Sequence, residues 1–142
     1  LRKLLDTIIP DAEEGFKPAR RYIAGYSLAG LFSLWTLYQT DRFHGAASMS
    51  GSLWYDDFVS YVQTHTFPCL PDRIVLSVGG REKNTKNTRI QTVERCTREV
   101  FAHYRSIGIE ISFTLYPGGH FANVPYRIAD GIRRLIQKNR DD

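Results

Sequence analysis

Six residues, Gly25-Tyr26-Ser27-Leu28-Ala29-Gly30, constrain this chain more than any other stretch. A short apolar segment, Tyr22-Ile23-Ala24, precedes them and reads as a strand, and Leu28 to Gln39 follows and reads as a helix. A strand that turns into a helix with a serine at the apex has the layout of a nucleophile elbow. The backbone at such a serine is strained, so its neighbours must be small. Gly25 and Ala29 meet that need, and Gly30 lets the helix pack closely on the strand. The helix N-terminus aims backbone N–H groups, Leu28 first, at the place where an oxyanion would form. The usual pattern has glycine at the position of Ala29, and alanine is a tolerable departure. The other reading of the motif is a glycine-rich turn with an idle serine.

A chain of 142 residues suffices for one domain with a real core. Its net charge is +4, from 19 basic and 15 acidic residues, and the basic residues are scattered. A nucleic-acid site would need a basic stripe with interleaved aromatics, which is not found, so no nucleic-acid partner is expected. No apolar run is long enough to cross a bilayer, and none resembles a signal peptide, so no membrane partner is expected. Cys69 and Cys96 have no metal-ligand spacing, and no metal is expected. Cys96 shares the stripe Ile90, Val93, Cys96, Val100, Tyr104, Ile107 and reads as a buried thiol. Two unpatterned cysteines fit a reducing compartment, which makes a cytoplasmic location the expectation.

Along the chain the order reads helix, strand, helix, strand, helix, strand, helix, strand, helix. Leu1, Leu4, Leu5, Ile8 and Ile9 form a helical stripe, and Pro10 ends that helix. Asp11 to Pro18 reads as a polar loop. Arg21–Ala24, Gly45–Ser50 and Ile74–Val78 read as strands, the last as an apolar run covered on both faces. Asp56–Thr64 reads as a short helix and Thr88–Ile107 as a long amphipathic one. Ile109, Ile111, Phe113 and Leu115 alternate with polar residues, the pattern of a half-exposed edge strand. Pro125–Asn139 is the last helix. Alternating strands and helices indicate an α/β fold with a parallel sheet of about four strands and flanking helices.

A serine hydroxyl needs a base to take its proton. Of the four histidines, His120 lies in Pro117-Gly118-Gly119-His120-Phe121, just after the last strand. Loops at the carboxyl ends of parallel strands form the ligand crevice, so this imidazole can reach the serine. His44, His65 and His103 follow no strand end and read as structural or solvent-facing. The acid should come between serine and histidine. Glu82, in Gly79-Gly80-Arg81-Glu82-Lys83, is the first carboxylate after Ile74–Val78. Asp56 and Asp57 compete, because they follow the previous strand. Asp56 is also well placed to cap the helix that begins there. Ser50-Gly51-Ser52-Leu53-Trp54-Tyr55 leaves a strand end too. Its aromatics, with Tyr26, can wall an acyl or alcohol pocket, or Trp54 can simply fill the core.

Taken together, Gly25-Tyr26-Ser27-Leu28-Ala29-Gly30-Leu31, Ser50-Gly51-Ser52-Leu53-Trp54, Glu82 with Thr85-Lys86-Asn87, and Pro117-Gly118-Gly119-His120-Phe121 resemble the esterase D and enterochelin-esterase-like branch of the α/β-hydrolases. The four segments come in the family's order over essentially the whole chain. The resemblance implies Ser27 as nucleophile, His120 as general base and acid, Glu82 as the orienting acid, and no cofactor. Related sequences often carry Asp at the position of Gly80, which leaves Asp56 and Asp57 open as acids. The implied reaction is hydrolysis of a small-molecule ester through an acyl-enzyme. Transfer of the acyl group to another acceptor uses the same triad, and a silent fragment serving as a packing or binding module is a third reading. Siderophore, carbohydrate and thioester substrates would look alike at this level. The resemblance also implies that residues 1–142 are a single partial domain, the C-terminal half of the α/β-hydrolase fold. The N-terminal half would hold the second oxyanion donor. Strand Arg21–Ala24 would then expose an unpaired edge, suited to a missing segment or a second copy, and the chain alone would be a poor esterase.

Overall fold

Four apolar, small-residue segments form the strands, and each is joined to the next by a helical crossover. They are β1 (Tyr22–Tyr26), β2 (Gly45–Met49), β3 (Arg73–Gly79) and β4 (Glu110–Tyr116). The computed structural model describes residues 1–137. All pairings are parallel and the strand order is β1-β2-β3-β4. The register sets Tyr26 beside Met49 and Met49 beside Ser77, so β1 and β2 end level, while β3 and β4 run on together to Gly79 and Tyr116. The loops that leave those ends therefore gather at one rim. Among the described residues β1 has β2 on one side and no strand on the other.

Alternation along the strands divides the core between the two faces. Ala46, Ile74 and Leu76 face α2 (Leu28–Gln39) and α4 (Val93–Ser106), with Leu34, Leu37, Val100 and Tyr104 fully buried among them. Ala47, Met49 and Val75 face α5 (Val124–Ile136), where Leu135 closes the second layer. Burying one such leucine stabilises the fold by roughly 1.5–3 kcal/mol. The helix α3 (Phe58–Thr64) packs on α4. α2 is less enclosed than its composition suggests: Leu31, Leu34, Leu37 and Tyr38 are buried, but Leu28 is exposed and Phe32 and Trp35 are half-buried.

Several boundaries differ from the sequence reading. The first helix does not end at Pro10. A π-helical turn, Leu4–Ile8, runs into α1 (Ile9–Ala12), and Pro10 sits in the first turn of α1, where its missing N–H is not needed. The wider π turn moves Ile8 off the stripe, and Ile8 is exposed while Ile9 is buried. The long helix starts later than Thr88. Asn87 Oδ1 accepts the N–H groups of Arg89 and Ile90, a 3-10 turn spans Ile90–Thr92, and α4 begins at Val93. Asp56 does not cap α3. Asp57 holds the cap position in a left-handed conformation and makes no side-chain cap bond, while Asp56 pairs with Arg89 at 2.5 Å. β4 is the half-exposed edge, but Leu115 points outward while Ile109 is buried just before the strand. α5 is described to Ile136, and the expected extension to Asn139 lies outside the described residues. Cys96 is buried, Cys69 is exposed, and both are free.

α5 is tied to β4 by Asp130, which accepts the Tyr116 hydroxyl and the guanidinium groups of Arg133 and Arg134, the latter two at 2.6 Å. Burial alone would raise its pKa, but these three donors outweigh it and hold the carboxyl at about 2. A depressed pKa stabilises the fold above the ordinary value of 3.8, and this stabilisation is lost as pH falls towards 2. Asp130→Asn should therefore cost about 2 kcal/mol at neutral pH. Denaturant curves at pH 7 and near pH 2 check this, because the gap between variant and parent should close in acid.

Candidate active site

Ser27 stands between the last residue of β1 and the first of α2, with φ 58° and ψ −121°. That conformation is costly for any residue with a side chain. It persists because the surrounding backbone over-determines it. Ser27 N–H donates to Met49 O at 3.0 Å, and Ser27 O accepts the N–H groups of Gly30, Leu31 and Ser52. Gly25 is required for the same reason: a Cβ there would run into the backbone of Ala29 and Gly30. Gly25→Ala is expected to push the helix start off the strand end. Circular dichroism should show a lowered Tm, and reaction of Ser27 with acylating reagents should fall at least tenfold, as misplacement by an ångström does elsewhere.

Three loops at the rim meet at this turn. His120 Nε2 lies 3.0 Å from Ser27 Oγ, and His120 Nδ1 lies 2.8 Å from Glu82 Oε2. A carboxylate can only accept, so the proton sits on Nδ1 and Nε2 is left to accept the serine proton. The Glu82 side chain is 2 % exposed and that of His120 31 %, so the acid is sealed while the imidazole meets solvent. Burial alone would raise the Glu82 pKa, but hydrogen bonds from His120, Ser50 Oγ (2.6 Å) and Gly79 N–H (2.7 Å) outweigh it and keep the carboxyl ionised below its ordinary range. Asp56 and Asp57 are exposed on the α3 side, and neither bonds the histidine. Leu28 is the first residue of α2, so its N–H has no acceptor within the helix.

The aromatic residues divide. Tyr55 is exposed and lines an apolar cleft of about 490 Å³ between α2 and α3, together with Leu28, Phe32, Trp35, Phe58 and Tyr61. Trp54 is half-buried against the core, with the Arg89 guanidinium 5.6 Å from its ring centre. Tyr26 does not open onto the cleft. Its hydroxyl donates to His120 O at 2.6 Å, and its ring centre lies 5.5 Å from the imidazole.

One residue at the site escapes a motif reading. Arg127, on α5, is 1 % exposed, and its guanidinium reaches Glu82 Oε1, Ser50 Oγ, Tyr26 Oη and the carbonyls of Pro117 and Gly119. The signal was a charged residue on the inward stripe Arg127, Asp130, Gly131, Leu135. Among the described residues, no group of three or more His, Cys, Asp or Glu could hold a metal, and no helix is long and apolar enough to cross a membrane.

Residues 1–124 match the family model described as "Putative esterase". The chain belongs to this esterase family. Its four parallel strands with flanking helices also match solved α/β-hydrolase esterases. The enterochelin esterase of Shigella flexneri superposes with a TM-score of 0.75 at 23 % identity, over 94 % of this chain and 36 % of that one. The enterobactin esterase of Shigella flexneri, solved with 2,3-di-hydroxy-N-benzoyl-glycine, gives 0.72 at 25 % over 93 % and 36 %. Siderophore hydrolase EstA of Aspergillus nidulans gives 0.71 at 19 % over 94 % and 54 %. This esterase-family chain thus spans between about a third and just over half of the length of these structures. No curated protein matches it.

Proposed function

We propose that this chain carries the catalytic serine, histidine and acid of an esterase that works through an acyl-enzyme. The observation that supports the reading best is the chain of hydrogen bonds from Ser27 Oγ through His120 to the buried Glu82. In the proposed reaction Ser27 Oγ attacks the ester carbonyl while His120 Nε2 takes its proton. The ionised Glu82 holds the Nδ1 tautomer and stabilises the imidazolium. The Leu28 N–H, backed by the α2 dipole, donates to the oxyanion. His120 returns the proton to the departing alcohol, and water repeats the sequence to release the acid.

The substrate class that fits is a small ester with an apolar or aromatic part. The cleft beyond Leu28 is walled by aromatic rings, and Ser52 N–H ties the loop carrying Tyr55 to the carbonyl of Ser27 at 3.0 Å. The structural relative at 25 % identity is named an enterobactin esterase, which agrees with an ester substrate. The open side of β1 suits a further strand, from an upstream segment or a second copy. The test is acid quenching during turnover of p-nitrophenyl acetate, followed by peptide mapping. An acetyl group on Ser27 is expected, and turnover with Ser27 never acylated would refute the acyl-enzyme.

A further inference from the structure

We propose that Arg127 is the positioning residue of this site: its buried guanidinium sets the proton directions of Ser50 and Tyr26, and through them locks Glu82 and the His120 loop in register. The inference rests on the triad reading above and adds a residue to it. Arg127 reaches every loop that builds the rim. One terminal nitrogen lies 3.1 Å from Tyr26 Oη at the end of β1, 3.0 Å from Ser50 Oγ just past β2, and 3.2 Å from Glu82 Oε1 after β3. The other lies 3.2 Å from Pro117 O and 3.0 Å from Gly119 O, on the turn that presents His120.

The polarity of this network follows from the cation. A guanidinium only donates, so both hydroxyls must accept from it. Each hydroxyl then has one proton left to give. Ser50 gives its proton to Glu82 Oε1 at 2.6 Å, and Tyr26 gives its proton to His120 O at 2.6 Å. One charge therefore orients the acid and the backbone of the base together. A lysine could not do this, because its three N–H groups leave one nitrogen, whereas the two terminal nitrogens of Arg127 send four in two directions to opposite sides of the rim. α5 is itself held by Asp130 on Tyr116, whose ring lies 5.5 Å from the Arg127 guanidinium. Asp130 is matched by Arg133 and Arg134, so it does not neutralise Arg127.

The groups facing His120 are Ser27, Glu82, the Tyr26 ring and Phe121; those facing Arg127 are Glu82, Tyr26, Ser50, the carbonyls of Pro117 and Gly119, and the Tyr116 ring. Arg127 is thus the cation that competes with the imidazolium for the same carboxylate. Removing it would leave the imidazolium as the one cation on that carboxylate, so the pH profile of Ser27 labelling should move to higher pH. A residue that only filled space would not move that profile.

The experiment is the pH profile of fluorophosphonate labelling of Ser27 in the full chain, with His120→Gln as the profile that lacks the imidazole. The Arg127→Gln profile should lie at higher pH than the parent's, and Arg127→Lys, which keeps the charge, should move it back towards the parent. A folded Arg127→Gln with the parent's profile overturns the proposal. Tyr26→Phe covers the case where Arg127→Gln does not fold. It should quicken amide exchange across residues 119–122 and slow fluorophosphonate labelling of Ser27, and parent-like values for both overturn the proposal. Labelling needs no turnover. The expected shift in a protein without esterase activity would support the brace while removing the esterase reading, and an unshifted profile in an active enzyme would do the reverse.

Discussion

Replacing Ser27 by alanine is expected to lower kcat by roughly four to six orders of magnitude, as removal of a triad nucleophile does. Alanine keeps the turn, because the backbone at Ser27 is fixed by Met49 O and by the α2 N–H groups rather than by its hydroxyl. The apolar cleft is untouched, so KM should stay near the parent value and the loss should fall on kcat. Residual hydrolysis would come from the Leu28 N–H and binding alone. Steady-state kinetics on p-nitrophenyl esters, with Tm measured alongside, separate this outcome from unfolding.

Glu82→Ala is expected to damage two properties at once. His120 would lose the acceptor that fixes its tautomer at 2.8 Å, and kcat should fall by roughly a thousandfold to ten-thousandfold. The fold would also be left with the fully buried Arg127 facing no carboxylate. Breaking a buried pair from one side costs about 3–5 kcal/mol, a large share of the roughly 5–15 kcal/mol available to a domain. Glu82→Gln keeps the shape and, with its oxygen at the Oε1 position, the three acceptor contacts to Ser50, Gly79 and Arg127, so it should recover stability more than activity. Acid should mimic the loss. The Glu82 carboxyl is depressed below 4.5 in the fold, so its contribution is complete above that value and disappears as pH falls through the lower folded pKa. Denaturant melts between pH 7 and pH 3 should show the parent converging on Glu82→Gln.

What the sequence made legible follows from which residues act locally. The serine turn was readable because Gly25 and Ala29 are the small neighbours that a positive φ at Ser27 demands. The four parallel strands were readable because β2 and β3 are buried on both faces and carry small or apolar residues throughout. His120 and Glu82 were readable because both follow strand ends in chain order, and the structure brings them together with Ser27. Helix starts were less legible, because they depend on side-chain competition, as where Asn87 captures two N–H groups before α4. Tyr26 read as a pocket wall, yet it serves the His120 carbonyl, since a strand's last residue can point either way. Arg127 was hidden because its five acceptors come from four separate loops that only the closed sheet brings together.

Activation of Ser27 by His120 at the strand-to-helix turn is best tested by labelling the full chain with a fluorophosphonate, followed by mass mapping of the modified residue. One adduct is expected, on Ser27, formed at least a hundredfold more slowly in His120→Gln. A chain that takes no label, or takes it at another serine with Ser27 unmodified, would contradict it.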